Sequence, residues 1–240
     1  MAKSAKETPP LPGLAMDALS IGWVEKEAIA IGYSWILGVD EVGRGPLAGP
    51  VTTAGVLVSL RDLAWCNGLN DSKKLSPRAR ERWVDVIEAR AHAHEVVHIE
   101  APDVDRLNVL AASLQGMTQC AEALVARAGI PKEAILVVVD GKQRLPEWDG
   151  AQKAIVRGDA SSWAIAAASI LAKVRRDARM TELDAVFPGY GFGKHAGYGT
   201  KQHLEALQKL GVTSEHRTSF SPVRAILQKN AEDHETNRES

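Results

Sequence analysis

The chain has 240 residues, 45% hydrophobic and 25% charged, the balance of a globular protein with one large or two small domains, which excludes disordered, collagen-like and coiled-coil classes. Lysine and arginine number 29 against 30 aspartate and glutamate, a net charge of -1, so any anion-binding surface has to be local. The only two cysteines, Cys66 and Cys120, lie far apart, which excludes a disulfide framework or a cysteine zinc site and fits a cytoplasmic protein, and no apolar run approaches the ~20 residues of a membrane span.

Residues 1–20, with Pro9, Pro10, Pro12 and Asp17, hold no signal-peptide core and read as a flexible tail. Ile36 to Val42 and Val51 to Val58 are apolar, β-rich and joined by a Gly/Pro turn, the pattern of two antiparallel strands. Ser76 caps a helix that has Pro77 in its first turn and Trp83, Val84 and Ile87 on one face. Glu95 to Glu100 alternates like a strand, and Pro102 opens one long helix stopped by Gly129 and Pro131. Ile135 to Val139 is a buried strand with Asp140 at its end, Lys153 to Val156 a further short one, and a helix follows from about Ala160 to Asp184. A glycine-rich aromatic loop, Phe187 to Gly199, leads to two short helices, Lys201 to Leu210 and Pro222 to Asn230, before an acidic tail at 231–240. The order predicts an α/β fold, a mixed sheet flanked by helices, with a small helical C-terminal appendage.

Three motifs are decoys. His94-Glu95-Val96-Val97-His98 matches HExxH, but on a strand residues four apart are separated by about 13 Å, too far for one zinc ion. Gly43-x-Gly45 follows a strand like a dinucleotide loop, yet Pro46 and Pro50 forbid the helix that would receive a pyrophosphate. Arg157-Gly158-Asp159 spells an adhesion tripeptide in a chain with no secretion signal.

The informative feature is where acids end apolar strands. Asp40 and Glu41 interrupt ILGVDEVGRG, and Asp140 ends AILVVVDG, although burying an unpartnered carboxylate costs several kcal/mol, on the order of ~5. Asp159, at the start of the next helix, reads equally well as an N-cap. Convergent carboxylates point to a hard-metal site for Mg²⁺ or Mn²⁺ with room for two ions, the chemistry of phosphoryl transfer. Asp40 and Glu41 reach it together only if the strand ends or twists there. Arg44 between two glycines, Lys73 and Lys74 before the capped helix, and a basic excess from Lys142 to Arg176 suit a polyanionic substrate. Phe187, Tyr190, Phe192 and Tyr198 gather in the glycine-rich loop, as a base- or sugar-stacking surface or as a small loop-anchoring core.

Together, Gly38-Val-Asp-Glu-Val-Gly-Arg-Gly-Pro-Leu-Ala-Gly-Pro-Val51, Asn70-Asp-Ser-Lys-Lys-Leu-Ser76, Val139-Asp-Gly141, Arg157-Gly-Asp159, Ala168-Ser-Ile-Leu-Ala-Lys-Val174 and Tyr190-Gly-Phe…His195…Gly197-Tyr198 closely resemble bacterial ribonuclease HII from about Gly38 to Val223. The resemblance implies a ribonuclease H-like catalytic domain over 30–190 and an aromatic loop with C-terminal helices over 191–230. It implies a metal-dependent endonuclease that cuts RNA in RNA-DNA hybrids and incises DNA duplexes on the 5′ side of embedded ribonucleotides, leaving 5′-phosphate and 3′-hydroxyl ends. It assigns catalysis and metal binding to Asp40, Glu41, Asp140 and Asp159. It also assigns the 2′-hydroxyl contact to Gly43, Arg44 and Gly45, further substrate contacts to Lys73 and Lys74, and junction sensing to Tyr198. Where the family usually reads His-Lys-Gly-Tyr-Pro-Thr, this chain has His195-Ala196-Gly197-Tyr198-Gly199-Thr200, and Ala166 replaces a usual serine. The competing readings are a non-catalytic hybrid-binding protein on the same fold and a zinc peptidase built on His94 and His98. A monomer with no membrane contact is expected.

Overall fold

The apolar runs form five strands, β1 (Trp35–Val42), β2 (Val51–Ser59), β3 (Ala93–Ile99), β4 (Ile135–Asp140) and β5 (Gln152–Ile155), in a computed structural model that describes residues 21–236. They make one sheet in the order β3-β2-β1-β4-β5. β1 runs parallel to β4, and β4 to β5. Leu60 N donates to Ser34 O, where the end of β2 meets the start of β1, and His92 N donates to Leu57 O, where β3 begins. β2 is therefore antiparallel to both neighbours, and the sheet is mixed. The central strands are buried almost throughout, which is why they read as continuous apolar runs rather than alternating ones.

The helices are α1 (Trp23–Ala30), α2 (Pro77–Arg90), α3 (Ala101–Leu107), α4 (Val109–Ala128), α5 (Trp163–Val186), α6 (Phe192–His195), α7 (Lys201–Leu210) and α8 (Ser221–Thr236). Ser76 caps α2 as its sequence dictates, its Oγ accepting from Ala79 N. The single helix expected after Pro102 is two. Asn108 adopts φ 69° and its Oδ1 accepts from Leu110 N and Ala111 N, a side-chain cap that stops α3 and restarts the chain as α4. The helix expected from Ala160 starts at Trp163, because Gly158–Ala160 forms a 3-10 turn after Arg157 at φ 57°. Ser162 Oγ accepts from Ile165 N and takes the capping role, so Asp159 is not the helix cap. Helix α1, with no expected counterpart, buries Glu25, whose carboxylate accepts from Ser162 Oγ and Ala164 N.

Contacts divide the chain into two units, Met1–Glu41, Thr53–Val97 and Leu114–Val174 in one, and Val42–Thr52, His98–Ser113 and Arg175–Ser240 in the other. The second unit thus recruits a β-turn segment and α3, and is larger than the expected appendage at 191–230. In the first unit Leu37, Val39, Val137 and Val139 pack with Met117, Cys120 and Leu124 of α4. Close packing is enforced at Gly38, where a Cβ would come within 2.2 Å of the Ala164 carbonyl carbon. In the second unit Leu47, Met180, Leu183, Leu207 and Val223 surround Tyr190 and Phe192. Those two rings are core, whereas Tyr198 stays 48% exposed. Helix α8 runs six residues into the span expected as an acidic tail. The tail at 1–20 and residues 237–240 lie outside the described residues. Among the described residues no helix is long and apolar enough to cross a membrane.

Candidate active site

The parallel register places the acids. Val39 pairs with Val139, so one step on Asp40 and Asp140 stand side by side at the carboxyl ends of adjacent strands, the place where open α/β sheets put their chemistry. Asp40 is buried at 5% exposure. Burial first, then the charges of Asp140 and Glu41, push its carboxyl well above the ordinary range, against a restraining hydrogen bond from Ser169. Burial raises Asp140 as well, with the Asp159 charge adding to it. Asp140 Oδ1 accepts from Gly158 N at 2.7 Å, and this bond sets the turn that presents Asp159. Glu41 follows Asp40 within β1 and is half-exposed. Its N–H donates to Asp40 Oδ1 at 2.7 Å. The strand therefore does not end between them, and the Glu41 charge acts on Asp40.

Lys73 Nζ stands 3.4 Å from Asp159 Oδ2. Although partial burial pulls the other way, Asp159, Asp71 and Asp40 hold its ammonium above the usual value. Asp71 Oδ1 accepts from Lys73 N and fixes the 3-10 turn that carries the lysine. Lys74, next along, is exposed. Two groups escaped sequence reasoning. Ser72 Oγ and Ser169 Oγ are 2.9 Å apart and buried, and Ser169 bonds Asp40, so the turn bearing Lys73 and the strand bearing Asp40 share a hydroxyl pair. Serines at these positions carry no spacing signal. Among the described residues no three His, Cys, Asp or Glu side chains are gathered closely enough to chelate an ion as they stand. The donors are nonetheless all oxygen, and two of them are buried beside like charge. That set fits a hard divalent cation and not zinc.

In the second unit the glycine loop and Tyr198 meet. A Cβ on Gly45 would sit 3.4 Å from Tyr198 Cε1, and Leu47 N donates to Gly197 O. Gly43 has φ 92°, and a Cβ there would strike Arg176 Nε at 2.1 Å, so only glycine fits. Arg176 donates to Pro50 O, Ala196 O and Ala48 O. Arg217 donates to Gly43 O, Arg44 O and Gly49 O. Both guanidiniums are buried. Desolvation, followed by the Arg176 charge, brings Arg217 down to about 9. Neither arginine was legible as a functional residue, because their partners are backbone carbonyls far away in the chain. His98, by contrast, behaves as a strand residue, its Nδ1 2.8 Å from Thr52 Oγ1.

A histidine pair supports the Tyr198 loop. Thr213 N–H donates to His216 Nδ1, which places the His216 proton on Nε2, 3.1 Å from His203 Nε2. His203 Nδ1 then donates to Tyr198 O at 2.9 Å. Every proton in this relay is set by a backbone partner at each end. Desolvation and the neighbouring imidazole lower His216 to about 4, and desolvation lowers His203. A histidine depressed in the folded state binds its proton more readily when unfolded, so stability is lost as pH falls from about 6.5 towards 4, by about 1.4 kcal/mol per unit for each such group. The raised carboxyls of Asp40 and Asp140 act with the opposite sign. Denaturant titrations of the protein and of His216→Gln isolate the histidine contribution, since the carboxylates cancel in the difference. The substituted protein is expected to lose less stability between pH 6.5 and 4.5, and parallel curves would contradict the relay.

A mixed sheet in this order, with acids at the ends of its central parallel strands, defines a ribonuclease H-like nuclease fold. The ribonuclease H2 of Pyrococcus horikoshii shares that fold, with a TM-score of 0.66 at 22% identity over 81% of this chain and 98% of its own. So does Bst-RNase HIII solved in complex with Mn²⁺, with a TM-score of 0.64 at 19% identity over 84% and 71%. Residues 37–223 match the family model Ribonuclease HII, and the chain is 46% identical over 192 residues to Ribonuclease HII of Francisella philomiragia subsp. philomiragia, covering 80% of this chain and 99% of that one. The chain belongs to the ribonuclease HII family, and it is an endoribonuclease H, a phosphodiester hydrolase.

Proposed function

We propose that this protein hydrolyses RNA in RNA-DNA hybrids and incises DNA duplexes on the 5′ side of embedded ribonucleotides, with Asp40, Glu41, Asp140 and Asp159 holding Mg²⁺ or Mn²⁺, two ions during turnover. The observation that carries the reading is the pair Asp40, buried, and Asp140, half-buried, at neighbouring strand ends, both carboxyls raised by desolvation and like charge. A divalent ion bound there supplies a water acidified for attack and offsets charge on the leaving oxygen. The chain's own groups orient that chemistry. Gly158 N–H and Ser169 fix the two aspartates, and Lys73 approaches Asp159 from the capped turn. In the second unit the Gly43-Arg44-Gly45 backbone meets the ribose 2′-hydroxyl, the one group that separates RNA from DNA. Tyr198 stacks at the RNA-DNA junction, and Lys74 adds a phosphate contact. A reducing cytoplasm suits the two buried free thiols, both pushed up to about 12 by burial.

The test is a DNA duplex with one ribonucleotide, incubated with Mg²⁺ or Mn²⁺ and with chelator. Attack by water on the 5′ phosphodiester gives a 3′-hydroxyl that a polymerase extends directly, and an all-DNA duplex stays whole. Cleavage that survives chelation and leaves a 2′,3′-cyclic phosphate would mean that the ribose hydroxyl is the nucleophile and would overturn the proposal.

A further inference from the structure

Arg217 is fully buried, and a buried charge is tolerated only where its hydrogen-bonding capacity is met. Its partners are unusual for a guanidinium. Nη2 donates to Gly43 O at 2.6 Å and Gly49 O at 2.8 Å, Nη1 donates to Arg44 O at 3.1 Å, and Nε donates to Gly49 O at 3.1 Å. It thus grips two successive carbonyls of the glycine loop. In a trans peptide the carbonyl and the N–H of one unit point in opposite directions. Holding Gly43 O and Arg44 O towards Arg217 therefore turns the N–H groups of Arg44 and Gly45 away from it. That side is the surface, since Arg44 and Gly45 are exposed while Gly43 is buried. Two consecutive N–H groups aimed one way form a concavity for an anion or a hydroxyl oxygen, and the Tyr198 ring edge lies beside Gly45.

We infer that Arg217 is the positioning residue for ribose recognition: its fork of donors orients the two peptide planes whose amides meet the 2′-oxygen. This rests on the reading that the Gly43-Arg44-Gly45 backbone contacts that group. Asp105 steadies the arginine's own turn by accepting from Thr218 N and Oγ1 and from Ser219 N and Oγ. The planar, multidentate guanidinium is essential, because a lysine ammonium in the same place keeps the charge but cannot span three carbonyls.

The experiment compares kcat/KM on a duplex with one ribonucleotide against a matched duplex whose sugar carries 2′-fluorine, a poor acceptor. The ratio is measured for the unmodified protein, Arg217→Lys, Arg217→Ala and Asp105→Asn, alongside Mn²⁺ affinity and a melting curve. The ratio is expected to fall about tenfold or more in Arg217→Lys, with Mn²⁺ affinity kept within about twofold. Free guanidinium is expected to restore the ratio in Arg217→Ala. Asp105→Asn, which only loosens the turn, is expected to show a smaller loss of the same kind, and it decides the matter if neither Arg217 variant folds. An unchanged ratio in folded variants, whatever their melting temperature, would overturn the inference. If the unmodified protein itself shows no preference for the ribonucleotide, the underlying reading of the glycine loop fails instead.

Discussion

Asp140→Asn is expected to lower cleavage by about 10³-fold or more, since a metal-bound ion contributes several kcal/mol to the transition state and 1.36 kcal/mol is tenfold in rate. The substitution keeps the size of the side chain and an oxygen to accept from Gly158 N, so the turn that carries Asp159 survives. It removes one of two adjacent carboxyls held above their ordinary range by desolvation and like charge. A carboxyl raised in the folded state adds stability at pH values below about 4 and loses it as pH rises through the folded value. At neutral pH and without divalent ions these groups therefore destabilise the fold, and Asp140→Asn melts at a higher temperature than the unmodified protein. Added Mg²⁺ reverses the order, because an ion at a hundred times its dissociation constant adds about 2.7 kcal/mol only where it binds. Near-normal turnover at saturating Mg²⁺, or a lower melting temperature in chelator, would contradict the assignment of Asp140.

Tyr198→Ala is expected to reduce cleavage at a single embedded ribonucleotide by about ten- to hundredfold, from the ~1–3 kcal/mol that ring stacking contributes. Cleavage within a long RNA strand is expected to fall less, because junction recognition counts for less there. The ring is 48% exposed, so its loss leaves the melting temperature nearly unchanged. The loop remains in place through its backbone, with Tyr198 O accepting from His203 Nδ1 and Thr200 N. Gly199 is thus held by its neighbours despite its intrinsic freedom. Equal losses on the two substrates would mean that the ring merely anchors the loop.

The central strands were legible because burial on both faces writes an uninterrupted apolar run, and an acid at the end of such a run is conspicuous; their order in the sheet, β3-β2-β1-β4-β5, was not. Ser76 with Pro77 announced α2 for an equally local reason. Asp40 and Asp140 stand side by side through the β1 and β4 register. The break at Asn108 was missed because Asn within a helical pattern carries no signal until its side chain is seen to cap the next helix. Helix α1 and the Glu25 cap on α5 join residues 137 and 139 positions apart. Arg217 reaches Gly43 across 174 positions. Such pairings are set by the packed fold, and no window of sequence contains both partners. The same holds for the second unit, assembled from three separated stretches of chain.

The central claim is that Asp40, Glu41, Asp140 and Asp159 hold the divalent ions. Electron paramagnetic resonance of free Mn²⁺, titrated with the unmodified protein and with Asp40→Asn, Glu41→Gln, Asp140→Asn and Asp159→Asn, tests it without reference to substrate. Saturable binding by the unmodified protein is predicted, weakened at least about tenfold in Asp40→Asn and Asp140→Asn, the adjacent pair at the strand ends, and weakened less in Glu41→Gln, at a half-exposed position, and in Asp159→Asn, whose charge Lys73 already offsets. Binding of equal strength in all five proteins would place the ions elsewhere and contradict the account.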